Sequence, residues 1–566
     1  MGCASGPGEE PGTTGATATT DTTATTDTTN QGTTDTTTAP GDGDGDVDEE
    51  LYPCIPGIPV TTQVGRLLNR EYDAAVKELL DVTTVASEGN QLPSALLTTD
   101  DQGPMDTYRW KAYQDVAEAI STQVISGPSK TKFIACDPAT VPTCYADTIN
   151  TFGRKAFRRP VTPAELDLFL ALTTIEPAGT PDQIAQTLLY AFLVSPSFIV
   201  AAETGTDPAP AGAPAGAIQL NDHEVALRLS RMLWGGLPDD ILAKAADDGL
   251  LSTKEEVAAQ AARMIAVREK AARQVATAHR AYLDMDDDAS HWWKSDHDPA
   301  LYPEFNTAAK TALSEEFNKF FEEVAFNNGT FKDLFLSTKG FVNAETAPFY
   351  GLDPAGFGPE LQPYEFSADQ RPGMLTRAGF LDSFSNYAKT SPIRRGAFLA
   401  TKIIGVKVGA PDPNALKAEV PPGVYDTRRA EIDALTSDAQ CKTCHQEAVN
   451  PPGYILENFD AIGKWQITDP LGGAINPTAD VGFGEDDLRT ITGVKSLMEQ
   501  IAANPVSQSI YAQKMVSVGM GRLPNNADAC IRDELEVQLA GDGYPILNVF
   551  SYMTQADSFR LRIRGE

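Results

Sequence analysis

Five residues, Cys441-Lys442-Thr443-Cys444-His445, constrain this chain more than any others. CxxCH is the spacing at which two thiols bond the vinyl groups of a c-type haem while the next imidazole ligates the iron from one face. The chain holds seven Cys and five His in 566 residues, so a chance match is rare. Two rival readings stand beside it. The CxxC would be a structural disulfide or a buried thiol pair with an incidental His, or it would bind zinc. Zinc would need distant ligands, because His223, His279, His291 and His297 all lie well upstream and there is no second CxxC.

The other cysteines point to an oxidising compartment. Cys136 and Cys144 flank Asp-Pro-Ala-Thr-Val-Pro-Thr, a turn-rich stretch suited to a small disulfide loop. Cys54 and Cys530 are then left to pair across the two ends of the folded body, although sequence does not set connectivity. Met1-Gly2-Cys3-Ala4-Ser5 resembles the processed edge of a bacterial lipoprotein, with Cys3 as the lipidated residue, but the apolar signal segment is missing. N-myristoylation fails because Gly6 stands where Ser or Thr is required. An ordinary terminal Cys is the alternative.

From Ala4 to about Glu50 the chain is Thr, Gly, Pro, Asp and Ala, with almost nothing large enough to seed a core. Such a stretch is a disordered tether with a reach of about 40 Å. Asp42, Asp44 and Asp46 match the first EF-hand ligand positions, but Val47 and Pro53 break the loop. The acidic run Asp284 to Asp288 fails in the same way at Ala289 and Ser295. A net charge of −33 excludes a nucleic-acid surface, which needs clustered cations. No apolar run is long enough to span a membrane, so membrane contact is expected only through the Cys3 anchor.

The remaining 514 or so residues exceed what one core usually serves. Helical spacing predicts helices over Val64 to Thr84, Leu166 to Leu172, Asp182 to Val194 and Asp222 to Leu233. It continues over Thr253 to Ala276, Thr311 to Phe326 and Arg394 to Ile404. Thr162-Pro163-Ala164-Glu165 reads as a capped helix start. Gly/Pro-rich connectors at 204–216, 350–363 and 408–423 separate the segments. The expected fold is mainly α: serial helical modules with a cytochrome c-like helical domain towards the C-terminus. The expected limits are 1–52 for the tether, then 53–128, 129–203 with the Cys136/Cys144 loop, 217–365, 366–480 with the CxxCH, and 481–566.

Several motifs recur in one order: Arg66 to Tyr72, Ala156-Phe157-Arg158-Arg159-Pro160, Ser195-Pro196-Ser197-Phe198, Arg228 to Trp234 with Pro238-Asp239-Asp240, and Ser391 to Gly396. Cys441 to His445, Leu456 to Gly463 and Gly521-Arg522 complete the series. Together they resemble the large secreted proteins of planctomycete and myxobacterial type, in which domains of unknown function 1587, 1595, 1592, 1588 and 1585 follow one another around a cytochrome-like CxxCH module. The likeness covers about 53 to 566. It implies a helical, exported haem protein and no defined activity.

One departure concerns the second axial ligand. In that family a His often stands about six residues before the first Cys, where this chain has Leu435. A Met thioether is the natural replacement, with Met520 the first candidate and Met515 the second, ahead of Met498 and Met553; the bland reading of each is core filler. An open sixth position is the third possibility. Asn450-Pro451-Pro452-Gly453 would end the motif helix and turn a backbone carbonyl towards the far nitrogen of His445. Glu457, Asp460 and Lys464 are candidates near the haem propionates, and Trp465 near the porphyrin edge. Arg158, Arg159, Arg394 and Arg395 read as interdomain ion pairs.

There is no phosphate loop, nucleophile elbow or His-Glu-x-x-His helix. His291-Trp292-Trp293 with Asp296 and His297 is the best second site, for a metal or a stacked sugar, against the plainer reading of a packed aromatic loop. The sequence therefore points to an exported, periplasmic or surface-anchored protein with one covalent haem c and an unidentified redox partner. The competing class is a non-redox surface scaffold or polymer-binding lipoprotein in which the CxxC is a disulfide.

Overall fold

In a computed structural model the chain is mainly α, with 57% helix and 7% strand. The structure describes residues 51–564, apart from 83–106, 286–295, 410–418 and gaps of at most three residues. Cys3, the tether, Asp42 to Asp46, Asp286 to Asp288 and His291 to Trp293 lie outside the described residues.

Helix starts follow local chemistry. The Thr162 hydroxyl accepts from Glu165 N while the Glu165 carboxylate accepts from Thr162 N at 2.9 Å, a capping box that opens Pro163–Leu172. Thr180 with Gln183, Asn221 with Glu224 and Thr253 with Glu256 repeat the device at Pro181–Val194, Asp222–Trp234 and Lys254–Ala266. Other boundaries differ from expectation. The helix expected from Val64 begins at Asn69, after a short strand at Gly65–Arg66. The helix expected over 253–276 is two, Lys254–Ala266 and Arg268–Tyr282, broken where Val267 takes φ −80°, ψ 73°. Thr107–Ser126, unread in the sequence, buries Tyr113, Val116, Ala117, Ile120 and Val124 along one face.

These elements build two principal cores. The first runs from Leu67 to Leu237 and is rich in phenylalanine, with Phe192 stacked on Phe169 at 4.1 Å and edge-on to Phe152 at 5.2 Å. Arg158 ties this unit together from a left-handed φ of 59°, donating to the carbonyls of Ser197 and Phe198 at 2.8 and 3.0 Å. Arg159 forms a fork with Glu165 at 2.7 and 2.8 Å. Both arginines thus serve their own unit, and the interdomain role expected for them is corrected. The second core gathers residues from Leu220 to Phe559, including Met498, Met515 and Met553.

The ends of the folded body meet. Val60–Thr61 pairs parallel with Leu561–Arg564, which pairs antiparallel with Ala217–Gln219. Disulfides join Cys54 to Cys530 and Cys136 to Cys144. Among the described residues no helix is long and apolar enough to cross a membrane.

Candidate functional site

Cys441 and Cys444 lie on the helix Ala439–Cys444, three residues apart and so about one turn from each other. Cys441 is buried, Cys444 half-buried, and neither is in a disulfide. His445 follows at once, buried at 8% exposure, and opens a π-helical turn over His445–Val449 that leads into the helix Asn450–Ile455. The Asn-Pro-Pro-Gly stretch therefore does not end the helix, as expected, but continues it. Pro451 and Pro452 would set their rings against the carbonyls four residues back, at Glu447 and Ala448, and the wider turn relieves that clash.

The wide turn decides what His445 touches. In an α-helix residues five apart are 1.4 turns apart and face away from each other. The i to i+5 geometry of a π turn stacks them, and so brings Asn450 over His445. Asn450 Oδ1 lies 3.3 Å from His445 Nδ1. The acceptor is a side-chain amide rather than the backbone carbonyl expected from the sequence. Burial holds the imidazole below its ordinary pKa, partly offset by Asn450, so the ring is neutral at pH 7. Nε2 makes no hydrogen bond among the described residues.

Glycine docks this helix onto the body. A Cβ at Gly396, on the helix Pro392–Phe398, would lie 1.9 Å from Val449 O, and one at Gly453 would lie 2.0 Å from Pro392 O. The two helices thus touch backbone to backbone, joining two of the sequence motifs. Arg395, on the same helix, is fully buried and donates to the carbonyls of Leu456, Phe459, Asp460 and Leu381 and to Ser385 Oγ at 2.7 to 3.2 Å. Arg394 donates to Ser385 O at 2.5 Å. Among the described residues neither forms the ion pair expected.

The other candidates take structural places. Lys464 pairs with Glu304, and Asp460 Oδ1 caps its own turn by accepting from Ile462 N and Lys464 N. Trp465 stands edge-on to Phe459 at 5.2 Å. Glu457 is buried, accepts from the Thr390 hydroxyl at 3.1 Å, and is pushed up to about 7 by burial, opposed by Arg395. It borders a cavity of about 30 Å³ with Asp469, Thr427 and Arg429. Met515 is buried in the second core and Met520 packs against it, whereas Thr436 and Tyr454 near His445 adjoin the small Ile432/Leu435 cluster. His297 is turned inward, buried at 5%, paired with Asp382 and bonded to Tyr387 O. Among the described residues no three His, Cys, Asp or Glu side chains are grouped for a metal ion, which leaves the zinc reading without further ligands there.

Three family models match in chain order. PSD5, a protein of unknown function (DUF1595), covers 144–203; PSD4, a protein of unknown function (DUF1592), covers 220–352; PSCyt3, a protein of unknown function (DUF1588), covers 371–469. The chain thus carries three domains of unknown function in series. Domains 1587 and 1585 remain expectations of the sequence. The third match contains Gly396, Cys441 to His445 and Gly453, so the whole docked CxxCH unit falls inside one family domain. No curated protein and no solved structure matches the chain.

Proposed function

We propose that the chain is an exported c-type haem protein with an electron-transfer role, held through Cys441, Cys444 and His445. One observation carries this reading: Cys54–Cys530 and Cys136–Cys144 are disulfides, while Cys441 and Cys444 remain thiols a turn apart beside a neutral imidazole. That donor set fits the group. Cys441 and Cys444 would hold it through thioethers to its two vinyl groups, and His445 would offer Nε2 to the iron because Nδ1 is engaged. The chemistry such a group would supply when bound is single-electron transfer. The name of the family that matches 371–469, PSCyt3, is in keeping with this.

The chain's own residues do the rest. Gly396 and Gly453 seat the motif helix on the body, and Arg395 holds the segment that follows it. For a second iron ligand the sequence's choices stay Met520, then Met515; a Met520→Ala variant with an unchanged low-spin spectrum removes the first. The two disulfides are compatible with export, and anchoring through Cys3 is part of the same proposal. The redox partner is unidentified, and no nucleic acid is expected. The test is the visible spectrum and intact mass of protein exported by a host that matures c-type haem. One haem of added mass, lost in Cys441→Ala/Cys444→Ala, supports it; a colourless protein sinks it.

A further inference from the structure

His445 is joined to the fold by a hydrogen-bond chain that runs in one direction. The Ile432 carbonyl only accepts, so the Thr436 hydroxyl donates to it at 2.8 Å. The Thr436 oxygen then accepts from Asn450 Nδ2 at 3.0 Å. That bond turns Asn450 Oδ1, an acceptor only, towards His445 Nδ1 at 3.3 Å. Asn450 also interacts with the Tyr454 hydroxyl, which itself donates to Asp433 Oδ1 at 2.6 Å. Burial and Asp433 hold that hydroxyl far above its ordinary pKa, so it stays a donor to Asp433. The bond to Thr436 holds one amide hydrogen of Asn450 and so sets the amide orientation. Asn450 is fully buried and Thr436 is 3% exposed, so water does not compete.

We infer that Asn450 is the positioning residue that places the proton of His445 on Nδ1, fixes the ring, and tunes the potential of the iron that Nε2 would ligate. An imidazole whose second nitrogen is held by an acceptor is oriented and made a stronger ligand. An amide oxygen does this without adding a buried charge. The tuning part rests on the proposed haem attachment, and the tautomer part does not.

The experiment has two arms on the full chain. In the haem-free protein, nitrogen-15 NMR of His445 reads the tautomer. Nδ1–H is expected in wild type and Thr436→Ser, and loss of that single tautomer in Asn450→Leu and Thr436→Val. In the exported, haem-loaded protein, the midpoint potential is expected to rise in Asn450→Leu, to rise less in Thr436→Val and to stay at the wild-type value in Thr436→Ser. Nε2–H in wild type overturns the inference, as does a tautomer and potential in Asn450→Leu equal to wild type. If Asn450→Leu does not fold, the Thr436→Val and Thr436→Ser pair decides by the same readouts. A chain that takes up no haem defeats the proposed function, while the first arm still decides the role of Asn450.

Discussion

The core between Leu67 and Leu237 and the CxxCH unit between Gly396 and Asp469 hold together by different physics. The first is a phenylalanine cluster in which Phe192 meets Phe133, Phe152, Phe157 and Phe169, closed by the Cys136–Cys144 disulfide. Apolar contact of this kind is summed over many weak pairs, so one imperfect contact is absorbed. The second depends on a buried guanidinium, two helices in backbone contact and a buried carboxyl. Each of these hangs on one or two residues with no substitute. A cofactor site gains from that arrangement, because ligands must be held to within a fraction of an ångström.

The contrast is broken most severely at Arg395. Arg395→Ala leaves three buried carbonyls and one half-buried carbonyl short of a donor and is expected to cost about 4 kcal/mol in urea unfolding. Gly396→Ala follows, at about 3 kcal/mol, because Val449 O is backbone and has nowhere to go; haem uptake should fall with it. Glu457 sharpens the comparison through pH. Its folded pKa of about 7 lies above the unfolded value, so its stabilising effect is full below about pH 4.5 and is lost as pH rises through 7. Glu457→Gln should flatten that slope by about 3 kcal/mol, read as stability measured from pH 4.5 to 8. Phe192→Leu, in the first core, is expected to cost only about 1.5 kcal/mol. Equal losses at Phe192 and Arg395 would erase the distinction.

What the sequence reveals divides along the same line. The capping box at Thr162 and Glu165 is readable because all its partners lie within one turn. The helix Thr107–Ser126 carried a legible apolar stripe from Tyr113 to Val124 that its polar neighbours obscured. The partners of Arg395 lie as far away as Leu456 and Asp460, so a pair of adjacent arginines gives no hint that carbonyls are the acceptors. CxxCH was legible as a spacing, but the role of Asn450 was not. It depends on the π turn over His445–Val449, whose i to i+5 stacking no motif spacing announces.

Whether Cys441, Cys444 and His445 hold a covalent haem is read from a reduced-minus-oxidised spectrum and the intact mass of the exported protein. A c-type α-band and one haem of added mass are expected, both absent from Cys441→Ala/Cys444→Ala. A colourless protein in which Cys441 and Cys444 are disulfide-linked would contradict that expectation and turn attention to a non-redox surface role.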